Sequence, residues 1–246
     1  IENGIAVVAS VGNEGFNQAA FPAGNQGVIS VGSIDATGFH MSFSNLSDSL
    51  SITAPGYGVT AAWPGELDDR AISFTGTSAS APFVSGAIAA VMSQSDVPLT
   101  PMQAWDIVQN YTNESGAPGA DSYYGNGLLN VGQVIQRDTS GIYDLAVAQP
   151  YYDTETNMLQ ITVENRGTES FGNGELTVNA GGGNYPLAIN SLGANESRLF
   201  VIPIGSSSFN TDGSLSVGLQ TTINSNVVDS QPRNNQRRDT LSVPTD

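Results

Sequence analysis

The feature that most constrains this chain is a change of hydrophobic period near residue 140. Before it, short apolar runs rich in β-branched residues alternate with stretches of helical spacing. Gly4 to Ala9 and Val28 to Ile34 read as buried strands, and Ile52 to Gly56 as a short strand broken by a Pro-Gly turn. Ser80 to Met92 is small and apolar, with Phe83, Ala87, Ala90 and Val91 at helical spacing, and reads as a buried helix. Thr100 followed by Pro101 is an N-cap with proline at the first helical position. The helix it opens carries Met102, Trp105, Ile107, Val108 and Tyr111 on an apolar stripe. Strands alternating with helices predict an α/β layer structure with a largely parallel sheet.

Beyond Tyr143 no helical pattern interrupts the text. Asp144 to Val147, Met158 to Val163, Glu175 to Val178, Arg198 to Ile202, Ser214 to Thr221 and Thr240 to Val243 read as short strands separated by turn residues. Such spacing predicts an all-β, immunoglobulin-like sandwich. The chain thus divides into domain 1–140 and domain 141–246.

Composition narrows the partners. Among 246 residues there is no cysteine, which excludes disulfides and thiolate metal sites. Seven basic residues, all arginine, face 23 acidic ones, for a net charge of −16. A chain so charged repels phosphate, so nucleic acid is excluded as a partner. No apolar run approaches the ~18 residues of a membrane span. The charge balance suits a soluble secreted protein. The text begins with no initiator Met, at what reads as a helix end in Ile1, and runs straight into a buried strand. We read it as the downstream piece of a longer protein, and expect one face or edge of the first sheet to be bare.

The segment that carries chemistry is Phe74 to Pro82. A strand ends, Gly76 permits a sharp turn, and Ser78 sits where the buried helix begins. Free N–H groups and the positive end of the helix dipole favour negative charge there, as a nucleophile generating an oxyanion requires. Taken alone, Ser78 also reads as an N-cap.

Gly76 to Gly86 resembles the serine signature of the subtilisin-like proteases, the subtilases, down to the proline inside the helix. Further stretches match in the family's order: Val7 to Gly15, Phe21-Pro22, Val28 to Gly32, Ser42 to Asn45, Ala54 to Gly56 and Tyr124 to Asn130. The resemblance covers about residues 1–136. It implies that Ser78 is the catalytic nucleophile and that the Asn13 amide and the Ser78 N–H hold the oxyanion. It implies that Thr77 supports that hole, that Val11 and Gly12 edge the substrate pocket, that Ala20 lies near its floor and that Glu14 lies at its rim. It implies a cis Phe21–Pro22 bond, a protein or peptide substrate, and broad preference for large hydrophobic side chains. No cofactor is required; a structural calcium near Ala23 to Val28 or Asp121 to Tyr123 is compatible, but no metal ligand is assigned.

What matches is a downstream half. The family places its aspartate and histidine ahead of the oxyanion asparagine. The only histidine here, His40, follows that asparagine in turn-forming text and reads as an ordinary surface residue. The missing N-terminal half is therefore an expected partner, and the chain alone is expected to be inactive. A pseudoprotease or an adhesion scaffold is the alternative. Asp144 to Val147, Ile161 to Thr168, Leu192 to Ser197 and Asn234-Asn235 resemble the CARDB-type bacterial adhesion module over about 142–244, which we read as a spacer. Arg233, Arg237 and Arg238 read as a solvated edge.

Overall fold

The computed structural model describes residues 4–62, 71–223 and 227–242. The helix end read at Ile1 and the last strand residue read at Val243 lie outside them. The chain separates into two compact units, residues 1–112 with 119–135, and residues 113–118 with 136–246.

The first unit runs β1 (Val8–Ser10), β2 (Ile29–Ile34), β3 (Ile52–Pro55), β4 (Val59–Ala62), β5 (Ala71–Phe74), α1 (Thr77–Gln94), α2 (Pro101–Gln109), β6 (Thr112–Asn113), β7 (Leu128–Leu129) and α3 (Val131–Gln136), the last residue counted with the second unit. Five strands form one sheet in the order β1-β2-β3-β7-β6, with β1–β2, β2–β3 and β3–β7 parallel. All six residues of β2 are buried, as a strand covered on both faces requires. The strands β4 and β5 form a separate antiparallel pair, of which the sequence showed only the end of β5 before Gly76.

Helix α1 lays Val84, Ala87, Ile88 and Val91 against Ile29, Val31, Ile52 and Ala54, and Trp105 and Val108 of α2 complete this core. Thr100 caps α2 in a reciprocal box: its hydroxyl accepts from Gln103 N, and its own N–H donates to the Gln103 side chain. Phe83 departs from its expected burial and is 40% exposed. The buried stripe centres on Ser80, Val84 and Val91, which puts Phe83 on its flank. There Phe83, Pro82, Gly86 and Ala79 join Val59 and Phe74 in lining an apolar groove of about 500 Å³, which Ser78 also lines. The sheet ends at β1 on one side and at β6 on the other.

His40 also departs from expectation. Its ring stands edge-on to Tyr123 and Tyr124 at centroid distances of 5.4 and 5.9 Å, and its Nε2 is buried without a hydrogen-bond partner. Burial lowers its pKa to about 4, so the ring is neutral at pH 7.

The second unit is antiparallel and all-β apart from one short 3₁₀ turn. It contains β8 (Leu145–Val147), β9 (Tyr151–Asp153), β10 (Met158–Asn165), β11 (Gly174–Ala180), β12 (Gly183–Ile189), β13 (Ser197–Pro203), β14 (Ser214–Ile223) and β15 (Gln236–Ser242). One sheet is ordered β13-β10-β8, with β9 also paired to β10; the other is β12-β11-β14-β15. Leu145, Leu159 and Ile161 from the first meet Leu176, Leu215 and Leu219 from the second in a single core. Asn165, 1% exposed, closes one end of it. Its amide donates to the carbonyls of Glu169, Leu192 and Gly193, and its Oδ1 accepts from Gly167 N. The Asn165-Arg166-Gly167 turn that ends β10 is thus built around a buried carboxamide. Of the arginine cluster, Arg237 pairs with Asp239 at 2.6 Å on the edge strand β15.

Candidate active site

Strand β5 ends at Phe74, and α1 begins three residues later. Gly76 makes the turn with φ +148°, a value that L side chains rarely adopt, and offers α1 no side-chain cap. The missing cap is supplied from another segment. Asn13 Oδ1 accepts from Thr77 N at 2.8 Å and from the Thr77 hydroxyl at 2.9 Å. Two donors on one atom identify it as the amide oxygen, so Nδ2 is the free end of that side chain.

Ser78 occupies the second position of α1, where no preceding helical carbonyl is available to its N–H. Pro82 carries no N–H, so the Ser78 carbonyl also loses its ordinary helical partner. Ser78 is exposed, whereas Thr77 and Ala79 beside it are buried. Thr77 thus joins the helix start bearing Ser78 directly to Asn13. The arrangement leaves a hydroxyl nucleophile and two kinds of uncommitted N–H donor at one helix N-terminus. Such donors, fixed before reaction, can hold a developing oxyanion.

The Asn13 loop is built from beneath. Gly12 has φ +116°, and a Cβ there would run into the Asn45 amide and the Glu14 carboxylate. Asn45, 2% exposed, accepts from Glu14 N and Phe16 N, each at 3.0 Å. It donates to Val11 O at 3.3 Å and to Glu14 Oε2 at 3.0 Å. That same carboxylate oxygen accepts from Asn13 N at 2.9 Å. Oε2 of Glu14 is therefore turned back into its own loop. Val11 is fully buried against Ala19, Ala23 and Leu50, and its backbone is bonded to Val31, Ala20 and Asn45, so it presents nothing to the surface. Ala20 is tied to it through Ala20 N and Val11 O at 2.8 Å.

The other predicted features fall elsewhere. Phe21–Pro22 is cis. His40 packs on the Tyr123-Tyr124 loop and forms no hydrogen bond to Ser78. Asp121 turns Oδ1 onto the N–H groups of Tyr123 and Tyr124. Among the described residues no group of three His, Asp or Glu side chains is placed to hold a metal ion. No helix among them is long and apolar enough to cross a membrane. Sequence reasoning missed the role of Asn45. Its partners lie about thirty residues away, and its one local signal was its place in the Ser42 to Asn45 stretch.

A parallel-sheet α/β unit with an exposed serine at a helix N-terminus fits a serine peptidase family. The family model described as "Subtilase family" matches residues 1–127, and the chain belongs to that family. A thermostable alkaline protease of Halalkalibacterium halodurans is 33% identical over 134 residues, 54% of this chain and 35% of that protein. Subtilisin DY of Bacillus licheniformis is 34% identical over 139 residues, 54% of this chain and 48% of that protein. This chain therefore spans between a third and a half of these relatives. The crystal structure of a lanthipeptide protease shares the fold with a TM-score of 0.50 at 24% identity, over 55% of this chain and 51% of that one.

Proposed function

We propose that this chain carries the nucleophile and oxyanion hole of a secreted subtilisin-type serine endopeptidase. The observation that carries this is the clasp of Thr77 on Asn13, which fixes the amide with Nδ2 free at the helix start bearing Ser78. In this reading the Ser78 hydroxyl attacks a peptide carbonyl while its proton passes to a histidine base. The carbonyl oxygen becomes an oxyanion held by Asn13 Nδ2 and Ser78 N–H. Collapse expels the amine, which takes that proton, and leaves an acyl-enzyme on Ser78 Oγ. Water then hydrolyses the ester, and the base again moves the proton.

We assign the histidine and its aspartate to a segment outside this sequence, the N-terminal half of the same protein. Two observations support this: the family's chain order, and the partial coverage of the relatives. The apolar groove lined by Ser78, Pro82 and Phe83 offers that half a surface to cover. This chain alone is then inactive. Gly12, next to the buried Val11, edges the primary pocket for large hydrophobic side chains of a protein or peptide substrate, with Ala20 near its floor and Glu14 at its rim. The reaction uses only groups of the protein and water and calls for no cofactor; a structural calcium is compatible, with no ligand assigned. We place the domain boundary near residue 140 and read the second domain as a CARDB-like, immunoglobulin-type spacer. Its two antiparallel sheets around one core support that reading.

The test uses the protein with its upstream reading frame and a chromogenic peptide. Ser78→Ala should abolish turnover, and Asn13→Leu should lower kcat by about 10²–10³-fold, the magnitude known for subtilisin's own oxyanion asparagine. Turnover surviving Ser78→Ala would overturn the assignment. An upstream frame without an aspartate and histidine in the family's motifs would favour the pseudoprotease or scaffold.

A further inference from the structure

The Asn13 loop is short, exposed and bent through a glycine at φ +116°, and the bond from Asn13 N to Glu14 Oε2 ties it only to its own next residue. A side chain from another segment holds it still. We infer that Asn45 is a positioning residue for the oxyanion hole, locking the loop that presents Asn13 and turning the Glu14 carboxylate inward. The inference rests on the functional reading above.

Each of the four hydrogen bonds of the Asn45 side chain goes to that loop. Oδ1 gathers the N–H groups of Glu14 and Phe16, which flank the bend one and three residues after Asn13. Nδ2 bridges Val11 O before the bend and Glu14 Oε2 after it. Asn45 N adds a backbone bond to Gly12 O at 3.2 Å. Asn13 thus has both neighbours tied to Asn45, Glu14 through the buried carboxamide and Gly12 through the backbone N–H, while its own Oδ1 is tied to Thr77. With Oδ1 accepting two N–H groups and Nδ2 meeting a carbonyl and a carboxylate, only one amide orientation satisfies the site. Two anchors, one behind the backbone and one on the side-chain oxygen, leave Nδ2 little freedom. Preorganisation of this kind is what makes an oxyanion donor effective.

The contact to Glu14 adds an electrostatic role. Asn45 Nδ2 and Asn13 N share Oε2 of the carboxylate on Glu14, the residue next to Asn13 in the donor loop. An aspartate at position 45 would still accept the two N–H bonds. It would lose the donor to Glu14 and set one carboxylate against another, which drives the loop apart.

The experiment is a double-mutant cycle in the protein with its upstream reading frame, measuring kcat, KM and the affinity of a peptidyl boronic acid that mimics the tetrahedral adduct. Asn45→Ala should lower kcat by about 10- to 10²-fold, as expected for a misplaced catalytic group. KM should move less than about threefold, and boronate affinity should fall with kcat. In the Asn13→Ala background the same substitution should change kcat by less than about twofold, because Asn45 acts through Asn13. Asn45→Asp should be the more harmful variant near pH 7, and Glu14→Gln should rescue it but not Asn45→Ala. Equal losses in the two backgrounds, or a loss carried by KM alone, would overturn the positioning role. A wild type without Ser78-dependent turnover would instead defeat the functional reading. In that event amide exchange at Glu14 and Phe16 decides the lock: faster exchange in Asn45→Ala supports it, and unchanged protection refutes it.

Discussion

Asn45 and Asn165 are both almost wholly buried, and each ties a loop together through one carboxamide. Their partners set them apart. Every partner of the Asn165 side chain is backbone at one end of the second unit's core, so it satisfies groups that would otherwise be buried bare. The Asn45 side chain binds backbone on either side of Asn13 and a carboxylate besides. The same residue type thus closes a core in one unit and holds a reactive loop in the other. Loss of the first should be read in stability, and loss of the second in rate.

The largest effect should come from Asn165→Ala. It takes the side-chain partner from the Gly167 N–H and the Glu169 carbonyl, while Leu192 O and Gly193 O keep backbone donors from Phe171 and Glu196; at about 1–3 kcal/mol for an unsatisfied buried group, a loss of about 3 kcal/mol is expected. Urea unfolding checks it; a loss below about 1 kcal/mol would erase the contrast. Gly12→Ala should come next and should act on rate. Its Cβ is strained at positive φ and collides with the Asn45 amide, so kcat should fall about 10²-fold with KM little changed. Peptide hydrolysis by the protein with its upstream frame measures it.

Two smaller effects test whether the first unit also holds purely structural polar groups. The pKa of His40 is lowered to about 4 in the folded state by burial, below its ordinary 6.5. Between those values the unfolded chain binds the extra proton and the folded one does not, so stability is complete above pH 6.5 and falls as the pH drops toward 4. The loss should reach about 2 kcal/mol once solvent screening of a half-buried ring is counted. Unfolding midpoints across that range should slope, and His40→Phe should flatten the slope. Thr100→Ala should cost about 1 kcal/mol through the lost cap on α2, with no change in any rate.

Much of this was legible in the sequence where the signal is local. The continuous apolar run of β2, the Thr100-Pro101 start of α2 and the glycine-serine turn into α1 each carry their cause within a few residues. Strand β12 did not. Gly183 opens it and Pro186 lies inside it, and no strand was read there; β12 is an edge strand, where a proline is tolerated because its missing N–H need not face a neighbour. The place of Phe83 on the flank of α1 was hidden because spacing alone shows an apolar face, not where its centre falls. His40 looked like loop text, since the tyrosines that bury it lie more than eighty residues away. For the site, Ser78 and Asn13 were visible through their motifs. The bond from Thr77 that orients the amide and the support from Asn45 were not, because both arise from distant segments meeting.

The collision between a Cβ at Gly12 and the Asn45 amide has a consequence for mutational libraries. The two positions are epistatic by geometry: a side chain at 12 has room only if 45 shrinks, yet a smaller residue at 45 releases the loop that 12 shapes. A single-substitution scan would score both as intolerant and report two independent requirements. A pairwise library would find one, with no accessible path of single steps between this solution and another.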